Sequence, residues 1–418
     1  MHKILTYLQW LPLLNKTLVK NDTLAGITAG ILILPQAIAF ATIAGLPPEY
    51  GLYTAIFPVI IAAIFGSSWH VLSGPNTALA VMMPFALTSY ATMQTTQYIS
   101  YAITLTLMVG LIQLLFALFR IGKLFIYFSH TVLLAITSSI GIIIILKQFT
   151  DLTGIEIDVF SMELFESFNI YTSMIGGISL LAGLLVKRYM PKLPYLIVAI
   201  FIGMILFYTL ELFASSSAMH IKQLGAISLT SWSFSLPDIQ SDNFLRAVWG
   251  LWPWAILMAM MGLIQSVLIA KSSAKRSGQT INMDREVVGQ SVSNIAGSFL
   301  SCFPSAGSFN RSASNMEVGG QTPLVALVSA LFLVLLVLVA EPFISDIPMA
   351  VMAGLLILVG MSMIKLGEIK AVILGEKRER MIFLTALFLT LFAGFSYGIL
   401  FGLVLSTWTY FMIKRKKD

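Results

Sequence analysis

Charged residues and cysteine are both scarce in this chain of 418 residues. Only 11% of the residues are charged, whereas a soluble domain is typically about a quarter charged. The one cysteine, Cys302, excludes a disulfide framework within the chain. The four histidines (2, 70, 130 and 220) show no metal-ligand spacing, so neither a metal site nor a cofactor is expected. There is no nucleotide-binding P-loop and no acid/base constellation, which disfavours an ATP-driven pump and an enzyme.

Hydrophobic residues, by contrast, make up 58% of the sequence. No single soluble core of this size buries so much apolar surface, so lipid must be the solvent for much of it. We therefore predict an all-α polytopic membrane protein. The N-terminal segment 1–22 lacks the features of a cleavable signal peptide and is predicted to form a short amphipathic helix on the membrane surface. Fourteen candidate spans are predicted at roughly 24–44, 51–66, 74–89, 98–118, 128–147, 170–187, 193–212, 248–270, 286–303, 309–319, 322–341, 347–364, 380–394 and 396–413.

The basic residues predict the orientation of these spans. With the N-terminus in the cytoplasm, three of the 25 Lys and Arg residues fall outside (Lys147, Lys222 and Arg246), Arg311 falls within a hydrophobic region, and the other 21 fall inside. This is the skew of the positive-inside rule. It predicts cytoplasmic N- and C-termini, and it accounts for the net charge of +6 without nucleic acid. The acidic segment 148–169 is expected to be a solvated outer loop, and 213–247 a longer irregular loop.

The third and tenth spans are too short to cross a bilayer as helices. The third reads HVLSGPNTALAVMM (70–83), in which a β-prone piece meets Gly-Pro before a helix that starts at about Asn76. The tenth reads CFPSAGSFNRSASNMEVGG (302–320), in which Pro304 and Gly307 precede a short helix that starts near Phe309 and Asn310.

Each interruption lies third in a set of seven spans, which predicts two inverted repeats, 1–212 and 248–413. A broken helix brings its N-terminus to the midplane, where the unpaired N–H groups and the positive end of the dipole bind anions. Arg311 adds a full charge at the second helix start, as an anion ligand or a fixed counter-charge. The alternatives are a side chain that reaches the interface or pairs with an acid, but no nearby span carries an obvious buried carboxylate to pair with it.

Four stretches of the chain resemble the sulfate permease family, which includes prestin and pendrin. They are LPQAIAFATIAGLPPEYGLYTA (34–55), VLSGPNTALAVM (71–82), GLIQSVLIAK (262–271) and VVGQSVSNIAGSFLSCFPSAGSFNRSASN (287–315). The resemblance covers nearly the whole chain. It implies a seven-plus-seven inverted-repeat fold, with spans 1–4 and 8–11 as a core and spans 5–7 and 12–14 as a gate. It also implies an elevator-like movement of the core and a homodimer in the lipid bilayer.

The resemblance also implies which residues bind the substrate. On the first span these are Gln36 and Phe40, although packing between spans is an equally good interpretation of Phe40. The helix ends contribute Asn76, Thr77, Ala78, Phe309, Asn310, Arg311 and Ser312.

The sequence departs from the family in two places. Many members carry a carboxylate in the eighth span where this sequence has Gln265, which faces the same site but cannot titrate. No other acid among spans 1–4 or 8–11 is a candidate for this role, since Glu317, the nearest, is predicted at the cytoplasmic end of the tenth helix. Proton or sodium coupling is therefore disfavoured. The cytoplasmic STAS domain usual in the family is not expected in this chain, which ends in KRKKD.

The leading hypothesis is a secondary transporter, an exchanger or uniporter, for a small anion such as sulfate, bicarbonate, chloride or a dicarboxylate. A nucleobase permease of the same fold is the nearest alternative. Such permeases use acids in the eighth and tenth regions, where this chain has Gln265 and Arg311. An anion-dependent channel or a voltage-responsive membrane protein is a further alternative.

Overall fold

The computed structural model describes residues 10–120, 129–153, 169–190, 193–213, 221–225, 232–237, 244–394, 397–398, 401–402 and 404–405. These residues are mostly helical. The elements in chain order are α1 (Lys16–Ile43), α2 (Pro48–Phe65), β1 (Ser73–Pro75), α3 (Thr77–Leu87), α4 (Thr96–Leu118), α5 (His130–Thr153), α6 (Ile170–Tyr189), α7 (Tyr195–Glu211), α8 (Phe244–Ser277), α9 (Met283–Phe299), β2 (Ser305–Gly307), α10 (Phe309–Val318), α11 (Leu324–Ser345), α12 (Met349–Met363), α13 (Leu366–Leu374) and α14 (Lys377–Phe388).

Eight helices of the described part of the chain are long and apolar enough to cross a membrane. The polytopic helical class predicted from composition is therefore confirmed, whereas a full set of fourteen spans stays a prediction. The two short helices fall where the sequence predicts them. α3 has 11 residues and α10 has 10, so each is about 15 Å long, half of a hydrocarbon layer of about 30 Å.

One prediction near the N-terminus is changed by the structure. Residues 16–22 belong to α1, which begins eight residues before the predicted first span, so they do not form a separate surface helix. Asn15 sets this start, because its side chain accepts a hydrogen bond from the amide of Leu18 at 2.9 Å. Residues 1–9, most of 148–169 and 213–247, and most of the predicted last span lie outside the described residues.

The chain divides into two compact units, and the first consists of Met1–Phe128, Ser228–Val339 and Ser406–Asp418. Its described helices are α1 to α4, α8 to α10 and most of α11. Within it, α9 packs against α4 and α2, and α1 packs against α2. Glycines permit these close crossings. A Cβ at Gly110 of α4 would lie 2.7 Å from the amide nitrogen of Ile295 in α9.

The second unit consists of Ser129–Ile227 and Ala340–Leu405, and α12 forms its centre. Every residue of α12 from Ala350 to Gly360 is buried, because α5, α6 and α7 all pack against this helix. Gly360 lies against Gly141 of α5, where a Cβ would lie 2.9 Å from the Gly141 carbonyl oxygen. On another side of α5, Leu134 and Ala135 pack with Phe383 and Ala386 of α14.

The crossing of α1 and α2 gives a test of this packing. A Cβ at Gly51 would overlap the backbone carbonyl oxygen of Ala37, which cannot rotate away. We expect Gly51→Ala to destabilise the protein by at least about 1–3 kcal/mol, the usual cost of overpacking. The measurement is the apparent unfolding temperature in detergent. Gly177→Ala is the matched control, because no atom lies within 4 Å of its new Cβ, and equal unfolding temperatures for the two variants would contradict the packing.

Candidate functional site

The centre of the first unit is a short antiparallel pair of strands that joins the two interrupted segments. Ser73, Gly74 and Pro75 of β1 pair with Gly307, Ala306 and Ser305 of β2, respectively, and all six residues are buried. Each strand is followed, after one capping residue, by its short helix. Because the strands are antiparallel, α3 and α10 leave the ribbon in opposite directions. The last residues of the two strands, Pro75 and Gly307, lie about 8 Å apart given the usual spacing of paired strands. The two helix N-termini that follow them are therefore close to each other.

Asn76 connects the start of α3 to both β2 and α8. Its side-chain oxygen accepts from the amide of Ala78 at 2.9 Å. Its side-chain nitrogen donates to the carbonyl of Gly307 at 3.1 Å and to Oε1 of Gln265 at 2.7 Å. The side chain is 8% exposed. Three elements therefore meet at one neutral amide.

The two helix N-termini differ in how they are capped. In α3, Asn76 accepts from the amides of Ala78 and Leu79 at 2.9 and 3.5 Å. In α10, the capping residue Ser308 makes no side-chain hydrogen bond to the first turn. The backbone amide of Ala78, one of the predicted site residues, is therefore already bonded to Asn76. The first turn of α10 is the more accessible of the two positive helix ends.

Arg311 lies in the first turn of α10 and is 4% exposed. Its two terminal nitrogens donate to the carbonyls of Ser73 and Pro75, each at 3.2 Å. Gly74 lies between these carbonyls with φ of +145°, and a Cβ there would lie 2.9 Å from Nη1 of Arg311. Neither of the two ion pairs found in the described residues involves Arg311. The guanidinium thus holds β1 in place, and within the part of the chain that the structure describes its hydrogen-bond acceptors are backbone carbonyls.

The remaining predicted site residues fall into three groups by exposure. Ser312 and Ala78 are each 1% exposed and Phe40 is 5% exposed. The hydroxyl of Ser312 accepts from the amide of Leu72 at 3.0 Å, so it also fixes the approach to β1. Gln36 and Thr77 are half-buried, whereas Phe309 and Asn310 are exposed.

The sequence analysis missed a set of buried amides behind the ribbon. Gln290 of α9 accepts from the hydroxyls of Ser73 and Ser266 at 3.0 and 3.1 Å and donates to the carbonyl of Ser305 at 3.1 Å. One turn later, Asn294 donates to the same carbonyl at 3.1 Å and accepts from the Ser305 amide at 2.7 Å.

The network extends to Gln113 of α4, whose side-chain oxygen accepts from Asn294 at 2.8 Å. The signal for these residues was present in the sequence. Gln113, Gln290 and Asn294 are amides within predicted spans, and the last two are four residues apart on one helix face.

Two buried carboxylates correct the expectation that this part of the chain has none. Asp22 is fully buried and Glu286 is 6% exposed. Asp22 accepts from the amide of Gln321 at 2.7 Å, and Glu286 accepts from the amides of Ser67 and Ser68 at 2.8 Å. Both acids therefore hold connecting segments, and their hydrogen bonds do not reach the start of α3 or α10.

Paired short helices that begin inside a bundle of apolar helices place the chain among polytopic membrane proteins with two interrupted helices. The sulfate permease family matches residues 19–386, and the chain belongs to that family.

Named relatives have similar sequences. The chain is 26% identical over 409 residues to the putative sulfate transporter YvdB of Bacillus subtilis (strain 168), covering 96% of this chain and 74% of that protein. It is 31% identical over 397 residues to sulfate transporter 4.1, chloroplastic, of Arabidopsis thaliana, covering 92% of this chain but only 57% of that protein. It is 28% identical over 450 residues to the sodium-independent sulfate anion transporter of Bos taurus, covering 97% and 72%. These relatives are named as transporters, which points away from an enzyme.

Two solved structures show that the fold is shared. The transmembrane domain of a cyanobacterium bicarbonate transporter, BicA, superposes with a TM-score of 0.81 at 23% identity, covering 93% of this chain and 98% of that one. The structure of SLC26A9 superposes with a TM-score of 0.83 at 19% identity, covering 96% of this chain and 66% of that one.

The buried amides can be tested by stability. Asn294→Ala leaves the amide of Ser305 and the side-chain oxygen of Gln113 without their partner, at about 1–3 kcal/mol for each buried group. We expect the apparent unfolding temperature in detergent to fall by several degrees. Asn310→Ala removes an exposed amide from the same unit and should change stability by no more than about 0.5 kcal/mol. Equal effects of the two substitutions would show that the network contributes little.

Proposed function

We propose that this protein is a secondary transporter, an exchanger or uniporter, for small anions such as sulfate, bicarbonate, chloride or a dicarboxylate. The observation that carries the proposal is the convergence of two helix N-termini on a buried ribbon, with Arg311 as the charge beside them. Helix N-termini and a guanidinium all stabilise negative charge.

The surroundings of the ribbon favour an anion over a nucleobase. Its buried partners are amides and hydroxyls, namely Asn76, Gln265, Gln290, Asn294 and Ser266. None of these side chains carries a negative charge that would repel an anion. The names of the relatives support an anion as the substrate, because they include sulfate transporters and a bicarbonate transporter.

The division of the chain into two units supports a mechanism for the proposed transport. The ribbon and both short helices lie within the first unit, which also holds their hydrogen-bonding partners. A site carried whole by one unit suits an elevator-type mechanism, in which that unit moves as a core and the second serves as a gate. The antiparallel strands and oppositely directed short helices support two inverted repeats of seven spans. A homodimer and cytoplasmic termini belong to the same proposal, the latter from the distribution of Lys and Arg.

Coupling to protons or sodium is not part of the proposal. The position that faces the α3 cap from α8 is Gln265, whose oxygen accepts from Asn76 at 2.7 Å. An amide neither gains nor loses a proton, so binding of the substrate next to Gln265 does not involve uptake or release of a proton by this side chain.

Uptake of radiolabelled anions into proteoliposomes tests the role of Arg311. A panel of sulfate, bicarbonate, chloride and a dicarboxylate should show uptake of at least one. Arg311→Met keeps much of the side-chain volume but removes the charge, and we expect it to lower uptake at least tenfold. Arg311→Lys keeps the charge and should retain more activity than Arg311→Met.

The control for these variants is Arg276→Met, because Arg276 is exposed near the end of α8 and should leave uptake unchanged. Each variant is first checked for monodispersity in detergent, so that misfolding is not mistaken for lost transport. Full transport by folded Arg311→Met would refute the assignment of Arg311 to the site.

A second transport experiment tests the absence of coupling. Wild-type uptake should change little when an inward proton or sodium gradient is imposed. Gln265→Glu places a titratable group beside Asn76, and uptake by this variant should rise as the pH falls, because protonation removes a negative charge from the site. Gln279→Glu, at an amide outside the ribbon, should not acquire this pH dependence. Strong acceleration of wild-type uptake by a proton gradient would contradict the argument.

A further inference from the structure

α13 is a short surface helix of the second unit, and none of its nine residues is buried. Ile364 and Lys365, which separate it from α12, have ψ angles of 90° and 78°, outside the helical range. α13 is therefore not a continuation of α12. It is about 14 Å long, too short to cross a hydrocarbon layer of about 30 Å. The proposed transport function does not use this helix.

The inner side of α13 is fixed to α5 and α14. Ile369 and Val372 pack against the buried apolar cluster that α5 and α14 form together. One carboxylate oxygen of Glu368 lies 3.4 Å from Nε2 of His130 at the start of α5, and the other lies 3.0 Å from Nζ of Lys365. These contacts determine which side of the helix faces outward.

The outward side of α13 carries Leu366, Lys370 and Leu374. These residues are four apart, so they share one side of a helix with 3.6 residues per turn. Leu366 is 74% exposed and Leu374 is 73% exposed, and Lys370 between them is exposed as well. An apolar pair around a lysine is typical of a helix that lies in the plane of the membrane interface. There leucine enters the acyl region and lysine reaches the headgroups.

The charges of segment 365–380 differ between the inner and outer sides. The segment contains five basic and three acidic residues. Its exposed charges are four basic residues and one acid, namely Lys365, Lys370, Lys377, Arg378 and Glu376. Of the other two acids, Glu368 lies against His130, and Glu379 accepts from the hydroxyl of Thr131. Neither ion pair found in the described residues involves Lys370 or Lys377. The outer side therefore presents net positive charge beside the exposed leucines.

From this arrangement we propose that α13 and the start of α14 bind the headgroups of anionic phospholipids. The headgroup presents phosphate oxygens to the ammonium groups of Lys370 and Lys377, and the acyl chains cover Leu366 and Leu374. The distribution of Lys and Arg predicts a cytoplasmic position for this segment, next to a leaflet that carries anionic lipid. Each lysine near such a surface typically raises affinity about fivefold.

A second copy of the chain suits this side of α13 less well than a lipid does. In a two-fold symmetric dimer both subunits contribute the same surface. The exposed lysines would then face the same lysines of the other copy, and like charges repel each other. An anionic headgroup supplies the opposite charge instead.

Native mass spectrometry of the purified full chain tests the proposal, because one spectrum counts bound lipids and subunits. The probes are phosphatidylglycerol and phosphatidylcholine with identical palmitoyl and oleoyl chains, and we expect the first phosphatidylglycerol to bind the more tightly. The double variant Lys370→Gln, Lys377→Gln should weaken phosphatidylglycerol binding by about tenfold or more and leave phosphatidylcholine binding unchanged.

The matched control is the double variant Lys271→Gln, Lys275→Gln. It removes two exposed lysines near the end of α8, where the neighbouring Ile269 and Ala270 are buried. It should change phosphatidylglycerol binding by less than about twofold. Equal affinity of the wild-type chain for the two lipids would overturn the proposal, as would equal losses in the two lysine variants.

A third variant, Leu366→Gln with Leu374→Gln, tests the apolar part of the surface. Both side chains are exposed, so the unfolding temperature should stay at the wild-type value while phosphatidylglycerol binding weakens several-fold. Dissociation of a dimer in this variant with unchanged lipid binding would assign the surface to a second copy and overturn the proposal. None of these results depends on whether the protein transports anions.

Discussion

The pairing of β1 with β2 is the interaction on which the rest of this structure depends. A helix that begins in the middle of a bundle of apolar helices leaves backbone N–H groups without helical partners. Lipid cannot form hydrogen bonds with these groups, so they must be satisfied within the protein. Here two interrupted segments, more than 200 residues apart in the sequence, satisfy part of each other's backbone. Neither short helix could be held at this position by its own segment alone, so the two halves of the chain are linked at the site itself.

The side chains that hold the ribbon in place are mostly neutral amides and hydroxyls, and Arg311 is the charged side chain among them. Amides are suited to the task because each one both donates and accepts, as Asn294 does toward the Ser305 backbone. Carboxylates could accept the same hydrogen bonds, but their negative charge would neutralise the positive helix N-termini. The structure instead uses its buried acids, Asp22 and Glu286, in the connecting segments. Arg311 remains charged among carbonyl dipoles, which lower the free energy of the guanidinium without neutralising it.

The sequence predicts the class, the position of both interruptions and the first residues of both short helices. These features depend on local signals, namely apolar runs, Gly-Pro pairs and a capping Asn, so they can be recognised one segment at a time. The pairing of the two segments is long-range and has no local signal. For the same reason Arg311 was predicted as a charge near a helix start, whereas its bonds to the carbonyls of Ser73 and Pro75 were not. The caps made by Asp22 and Glu286 were missed because each acts on a segment far away in the sequence.

The cap that Asn76 places on α3 has a consequence for how tightly any ligand is held. The side-chain oxygen of Asn76 occupies the amides of Ala78 and Leu79, so an anion that approached them would first have to displace an oxygen of the protein itself. Such an internal competitor lowers affinity and speeds release. In the proposed transport function, weak binding would favour release of the anion on each cycle, and the neutral side chain of Asn76 at the start of α3 would contribute to that weak binding.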